Sequence, residues 1–88
     1  MKERDLTIQN KLGMHLKTAA EFVKVASRFQ CKVTVLKGGE EVNGKSIMGL
    51  LTLEAAHGAK VRVRVSGPDE EQALEALAEL IGEKFYEE

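Results

Sequence analysis

Residues 60–66, KVRVRVS, alternate valine with a basic or polar residue along their whole length. Successive side chains of a strand point to opposite faces, so Val61, Val63 and Val65 share one face and the polar residues share the other. A sheet that is buried on one face and wet on the other is typically antiparallel. This alternation therefore predicts an antiparallel sheet that other elements cover on its valine face only.

Further strands are indicated by shorter alternations of apolar and polar residues. Residues 4–9 (RDLTIQ) and residues 32–37 (KVTVLK) each place apolar side chains at every second position. Gly38 and Gly39 then predict a turn, and residues 41–43 predict a short returning strand. The chain thus offers four strands, two of which form a hairpin.

Two segments carry apolar residues at helical spacing. Residues 16–29 predict a helix that buries one face. The residues of that face are Ala19, Phe22, Val23, Ala26 and Phe29. Residues 46–53 (SIMGLLTL) predict a shorter helix, with Ser46 as its N-cap because a serine hydroxyl can accept a free backbone N–H.

A third helix is predicted to begin after Pro68. Asp69 and Gln72, three residues apart, resemble a capping box, and the following glutamates suit the positive end of the helix dipole. The buried stripe of this helix is predicted to be Leu74, Leu77, Ile81 and Phe85. The element order is then β-α-β-β-α-β-α, an α+β fold in one domain over residues 1–88.

Composition excludes several function classes. The chain has 88 residues and a single cysteine, so we expect no internal disulfide and no cysteine metal cluster, as suits a reducing cytoplasm. The first residues, MKERDLTIQ, lack the apolar stretch of a signal peptide, and the apolar runs are too short for membrane insertion. We also expect no cofactor and no metal.

Charge is distributed unevenly along the chain. Residues 1–48 contain 9 Lys/Arg and 5 Asp/Glu, whereas residues 49–88 contain 4 and 9. The basic half suits an anionic ligand or an acidic partner, but it is too weakly basic for general nucleic-acid binding. The cations that could lie near its one histidine are Lys11, Lys17, Lys24, Arg28 and Lys45.

That histidine, His15, lies in GMHLKTAAEFV, between a glycine and the first predicted helix. It could be an ordinary helix-cap or surface histidine. It could instead be a phosphoryl acceptor, because a helix N-terminus presents free N–H groups that bind phosphate and a neutral imidazole is nucleophilic. A competing capping box of Thr18 and Glu21 would start the helix later and leave His15 in the preceding loop.

The remaining candidates have simple structural explanations. His57 precedes a glycine in a predicted surface loop, and Cys31 suits a small apolar filler at the start of a strand. Ser46 is a helix cap that could also be modified. Ile47 and Met48 could belong to the core or form a small exposed patch for a partner.

Two stretches resemble the HPr family, the histidine-containing phosphocarriers of the phosphoenolpyruvate-dependent sugar phosphotransferase system. GMHLKTAAEFV is similar to the family's active-site segment, whose usual form is G-L-H-A-R-P-A-x-x-F/L-V. VNGKSIMGLLTLEAAHGA is similar to its regulatory segment. The resemblance implies an open-faced β-sandwich with four antiparallel strands covered by three helices.

The resemblance also implies roles for individual residues. His15 matches the histidine that takes phosphate on Nδ1 from enzyme I and passes it to sugar-permease A-type domains. Ser46 matches the serine modified by HPr kinase/phosphorylase, with a catabolite-control regulator as a further partner. The family is usually monomeric. The residues that match its partner-docking surface are Ala20, Lys24, Ser27, Ile47, Met48 and Leu51.

The active-site segment departs from the family pattern at three consecutive positions. Leu16 replaces an alanine, Lys17 an arginine and Thr18 a proline. Lysine keeps the charge but lacks the planar fork of arginine, and threonine restores an N–H and adds a hydroxyl. We expect phosphate to be bound by Lys17 and the backbone N–H groups of Leu16 and Lys17, with Thr18 as a further ligand.

Two other function classes compete with the phosphocarrier. The first is an HPr-like regulatory binding module, for nitrogen-related or carbon-catabolite control, in which Ser46 and the Met48 patch matter and His15 is little used. The second is a ferredoxin-like metal-binding or RNA-binding domain, which fits the element order. The chain lacks the cysteine pair or the sheet aromatics that this second class requires.

Overall fold

The computed structural model describes residues 1–87, which form one four-stranded sheet and three helices. The strands, in chain order, are β1 (Lys2–Thr7), β2 (Lys32–Lys37), β3 (Glu40–Asn43) and β4 (Lys60–Ser66). The helices are α1 (Leu16–Ala26), α2 (Ile47–Thr52) and α3 (Glu70–Gly82), with a single turn at Lys84–Tyr86. The predicted order of elements is confirmed.

The sheet is antiparallel throughout, with strand order β1-β4-β2-β3. The valines of β4 are at most 2% exposed, and they form one core with Phe22 of α1, Leu50 of α2 and Leu77 of α3. The opposite face carries Arg62 and Arg64, which lie at the surface. The predicted fold class, a sheet with helices on one face, is therefore confirmed.

Strand β1 spans residues 2–7 rather than the predicted 4–9. Its pairing with β4 runs from Lys2 opposite Val65 to Thr7 opposite Lys60. Beyond Thr7, Ile8 leaves the ladder, and its N–H bonds to the carbonyl of Ala59 instead. Strand β1 lies at the edge of the sheet and most of its residues are exposed. Its first residues are therefore polar on both faces, and they show no alternation of apolar and polar residues.

Helix α1 ends at Ala26, three residues before the predicted end. The N–H groups of Arg28 and Phe29 bond to the carbonyls three residues earlier, which tightens the chain into a turn. Phe29 is still partly buried against the core. An apolar residue just beyond a helix thus extended the periodic pattern past the helix itself.

The capping box predicted for α3 is wrong, although Asp69 is the N-cap residue. The Asp69 carboxylate accepts hydrogen bonds from the backbone N–H groups of Gln30 and Cys31, at 2.8 and 2.9 Å. These bonds hold the pKa of Asp69 below its usual value. The carboxylate therefore joins the start of α3 to the start of β2 instead of capping its own helix.

Cys31 lies under this junction and is 1% exposed. Gly67 approaches it so closely that a Cβ at this glycine would lie 2.7 Å from the Cα of Cys31. Burial raises the pKa of the thiol, and a hydrogen bond from the thiol to Asp69 adds to that effect. Cys31 is thus a packed core residue, as predicted.

No helix within residues 1–87 is long and apolar enough to cross a membrane.

Replacing Asp69 by asparagine should lower the melting temperature at neutral pH, because one of the two N–H groups would then face an amide N–H. Since folding lowers this pKa, the stabilisation is complete above the unfolded value of about 3.9 and is lost as pH falls through the folded value. Calorimetry from about pH 7 to about pH 2 should show the two melting temperatures converging below about pH 4.

The matched control is Glu75→Gln, a change of an exposed carboxylate beyond the first turn of the same helix. It should alter the melting temperature little. A difference between wild type and Asp69→Asn that stays constant down to the lowest pH would contradict the prediction.

Candidate functional site

His15 is the N-cap residue of α1, with extended backbone angles and its carbonyl accepting the N–H of Ala19 at 2.8 Å. The competing assignment, with Thr18 as the N-cap, is wrong because Thr18 is the third residue of the helix. The Thr18 hydroxyl accepts the N–H of His15 at 2.9 Å, which is half of a capping box. The His15 side chain faces the N–H of Thr18 without forming a full hydrogen bond.

Thr18 itself is directed into the protein and is 1% exposed. Its hydroxyl lies 3.1 Å from the carbonyl of Gly13, to which it donates, while it accepts from His15. The hydroxyl is thereby occupied within the fold. Only the backbone N–H of Thr18 remains in a position to serve as an anion ligand.

Two loops meet beside His15. The N–H of Met14 bonds to the carbonyl of Ala55 at 2.7 Å, which ties the histidine segment to the loop after α2. Gly13 has a φ of +70°, and a Cβ there would lie 2.6 Å from the Ala55 oxygen. Glycine is therefore required at this position both for its backbone angle and for the close approach.

The His15 ring contacts a carboxylate from the far end of the chain. Its Nε2 lies 3.2 Å from Oε1 of Glu87, and the two side chains are 32% and 9% exposed. Asn10, which is fully buried, donates to Glu87 Oε2 at 2.7 Å. The Asn10 bond, followed by the His15 bond and the charges of His15 and Lys17, lowers the pKa of Glu87.

The N-terminus of α1 is suited to an anion. Leu16 and Lys17 are its first two residues, so their N–H groups have no carbonyl partner within the helix. No acidic residue lies in the first turn, and Lys17 is exposed. Three positive features thus coincide beside His15: free N–H groups, the helix dipole and an ammonium group.

The expected docking residues lie on two adjacent helices. Ala20 and Lys24 are on α1, Ser27 directly follows it, and Ile47, Met48 and Leu51 are on α2, which packs against α1. Met48 is 71% exposed, so it belongs to a surface patch and not to the core. Leu12 and Leu16 are also exposed apolar residues; the sequence analysis considered Leu16 only for its backbone N–H and did not single out Leu12.

Ser46 is the N-cap of α2, as predicted, and its hydroxyl accepts the N–H of Gly49 at 3.1 Å. The preceding Lys45 donates from Nζ to the carbonyl of Phe29 at 2.7 Å, just beyond the end of α1. Ser46 is half-buried and His57 is exposed in a loop. Within residues 1–87, no group of three His, Cys, Asp or Glu side chains is placed to hold a metal ion.

Comparisons with known proteins agree on one family. The family model described as the PTS HPr component phosphorylation site matches residues 2–83. The chain is 46% identical to phosphocarrier protein HPr of Xylella fastidiosa, covering 100% of this chain and 99% of that one. It superposes on HPr of Thermoanaerobacter tengcongensis with a TM-score of 0.96 at 45% identity, covering 100% and 99%.

Another solved structure, Crh from Bacillus subtilis, is described as a catabolite repression HPr. Its crystal structure superposes with a TM-score of 0.77 at 39% identity, covering 96% of this chain and 97% of that one. The likeness thus extends to a relative whose name refers to regulation.

Replacing Thr18 by valine should lower the free energy of unfolding by about 1–3 kcal/mol, because the part-buried N–H of His15 loses its acceptor and the carbonyl of Gly13 keeps only its bond from Asn10. Valine keeps the shape, so packing changes little. Chemical denaturation measures the loss. Thr52→Val removes the same hydroxyl from an exposed site on α2 and should change stability by less than about 0.5 kcal/mol. Equal effects of the two substitutions would contradict this role for Thr18.

Proposed function

This chain belongs to the HPr family of phosphocarrier proteins, and we propose that it accepts a phosphoryl group on His15 from enzyme I. It then passes the group to A-type domains of sugar permeases. One observation carries the proposal: His15 is the N-cap of α1, directly beside the free N–H groups of that helix. On this proposal, the protein is a phosphoryl carrier, and its histidine is phosphorylated transiently.

The phosphoryl group would be held by groups that need no rearrangement. A phosphate on His15 lies next to the N–H groups of Leu16 and Lys17, which point out of the helix end. The third N–H, that of Thr18, already faces the histidine side chain. Because His15 is 32% exposed, its ring can reach a partner while its backbone stays fixed.

Lys17 replaces the arginine of the usual motif. We propose that its ammonium group neutralises part of the phosphoryl charge, since its charge already acts on Glu87 at this site. A lysine contributes a point charge and not the two parallel hydrogen bonds of an arginine. Phosphate binding here therefore depends more on the helix N-terminus than it would with arginine.

The direct test is incubation with enzyme I and labelled phosphoenolpyruvate, followed by detection of acid-labile phosphate. We expect wild type and His57→Ala to be labelled equally and His15→Ala to remain unlabelled. His57 is the matched control because it is the other histidine of the chain and lies in an exposed loop. Labelling of His15→Ala, or none of wild type, would refute the proposal.

The same assay measures the contribution of Lys17. Lys17→Ala should slow labelling by about 10- to 100-fold, because a hydrogen bond to a charged group contributes about 1.5–3 kcal/mol. Lys32→Ala removes an exposed lysine from β2 and should leave the rate unchanged. An unchanged rate in Lys17→Ala would remove this residue from the role.

We further propose that phosphorylation at Ser46 regulates this transfer. A phosphate there would add about −1.5 to −2 charges at the start of α2, beside the Met48 patch. It would repel an acidic partner that docks on α1 and α2, and an HPr kinase/phosphorylase would be the modifying enzyme. The Ser46 hydroxyl is half-buried and serves as the cap, so modification replaces one acceptor by a stronger one.

The substitution Ser46→Asp should slow phosphorylation of His15 by about tenfold or more, because repulsion reduces the rate of productive encounter. Stopped-time labelling with enzyme I measures this rate. Ser66→Asp places the same charge on the exposed face of β4, away from α1 and α2, and should have little effect. Equal rates for wild type and Ser46→Asp would argue against regulation at this site.

The second candidate is a regulatory binding module, which the likeness to Crh favours. In that case the Met48 patch would bind a catabolite-control regulator and His15 would be little used. The labelling assay separates the two candidates, since a module of this kind would take little or no phosphate on His15.

A further inference from the structure

The end of the described chain folds back onto the His15 site. Lys84, Phe85 and Tyr86 all have φ values in the left-handed region, between 55° and 57°. Phe85 is 5% exposed and belongs to the core, so it anchors this turn. The turn directs Glu87 inward, and the Glu87 side chain is only 9% exposed.

The Glu87 carboxylate is held from two sides. Its Oε2 accepts from Asn10 Nδ2 at 2.7 Å, and both of its oxygens lie within 3.2–3.4 Å of His15 Nε2. Asn10 Nδ2 also donates to the carbonyl of Gly13 at 2.8 Å. With two acceptors on its NH₂ group, the orientation of the Asn10 amide is fixed, even though its Oδ1 has no partner within residues 1–87.

A carboxylate can only accept hydrogen bonds, so the bond to His15 requires a proton on Nε2. In a neutral imidazole with its proton on Nε2, the other nitrogen, Nδ1, carries the lone pair that can attack phosphorus. We propose that Glu87 is a positioning residue that keeps the His15 proton on Nε2 and thereby presents Nδ1 as the nucleophile. This inference rests on the proposed phosphocarrier function.

The transfer step balances without a further acid or base. The Nδ1 lone pair forms the bond to phosphorus, and the bond between phosphorus and the donor's leaving atom breaks. The proton stays on Nε2, so the phosphorylated ring carries a positive charge. The Glu87 carboxylate lies next to that charge and stabilises it, as an acidic partner does for a catalytic histidine elsewhere.

A purely structural role for Glu87 would have different consequences. A carboxylate near the N-terminus of α1 also stabilises the helix dipole, and this effect would change stability alone. A positioning role changes the tautomer of His15 and the rate of transfer as well. The two roles are therefore distinguished by readouts on the histidine itself.

The first readout is the tautomer of His15, measured from ring nitrogen chemical shifts at about pH 9, where an ordinary histidine is neutral. We expect wild-type His15 to hold its proton on Nε2 to a greater extent than the exposed His57 of the same molecule. In Glu87→Ala, His15 should become like His57. Glu87→Gln keeps an oxygen acceptor and should retain the wild-type tautomer.

The second readout is the rate of phosphorylation by enzyme I. Glu87→Ala should lower kcat by about tenfold and leave KM for the protein unchanged. Removing a group that orients a functional histidine typically costs about 10- to 100-fold in activity, and we expect the lower end of that range. The kcat of Glu87→Gln should lie between those of wild type and Glu87→Ala, because glutamine keeps the His15 tautomer but lacks the negative charge. Glu83→Ala is the matched control, a glutamate of the same segment that is exposed to solvent.

An unchanged tautomer in Glu87→Ala, or a rate equal to that of Glu83→Ala, would overturn the proposal. The tautomer measurement needs no enzyme I. It therefore tests Glu87 even if wild type is not phosphorylated, an outcome that would refute the phosphocarrier function separately.

Discussion

The position of His15 depends on a close contact between two loops, where Gly13 lies against the backbone of Ala55 and Ala56. No Cβ could be accommodated at Gly13, and the Met14 N–H bonds directly across the contact. Ile8 completes the attachment, because its N–H bonds to the carbonyl of Ala59 and its carbonyl accepts the N–H of Gly58, at the end of the loop before β4. With the entry to α1 fixed in this way, the extended backbone of His15 and the inward hydroxyl of Thr18 follow. The candidate site is therefore a property of the loops and helix end together.

Much of the fold could be predicted because the patterns that specify its strands and helices involve residues close together in the sequence. The alternation in β4 and in the β2–β3 hairpin depends only on neighbouring residues, and both were predicted with correct or nearly correct bounds. The Ser46 cap of α2 was predicted for the same reason, since a hydroxyl and an N–H three residues later interact within one turn. The start of α1 at Leu16 also follows from its own segment. His15 and Ser46 were identified from local motifs, and their functional roles remain predictions.

What sequence reasoning missed involves partners that are distant along the chain. Asp69 has the residue type and spacing of a helix cap, but its carboxylate binds two N–H groups at the start of β2. Glu87 lies 72 positions from His15 and carries no motif that would connect them. Thr18 was expected to be a further phosphate ligand, and only the arrangement of Gly13 shows that its hydroxyl is occupied within the fold. When a side chain has several possible hydrogen-bond partners, only the tertiary structure shows which of them it binds.

The packing of Cys31 has a practical consequence for observing the protein. The residue is buried, Gly67 packs against its Cα and Cβ, and burial keeps the thiol in the protonated form, which reacts slowly with alkylating reagents. Because it is also the only cysteine, any reagent that labels the chain at a thiol must wait for the junction of α3 and β2 to open. The chain therefore carries a natural reporter of its own opening, because the rate of Cys31 alkylation, measured by mass spectrometry, gives the rate of opening without any substitution in the protein.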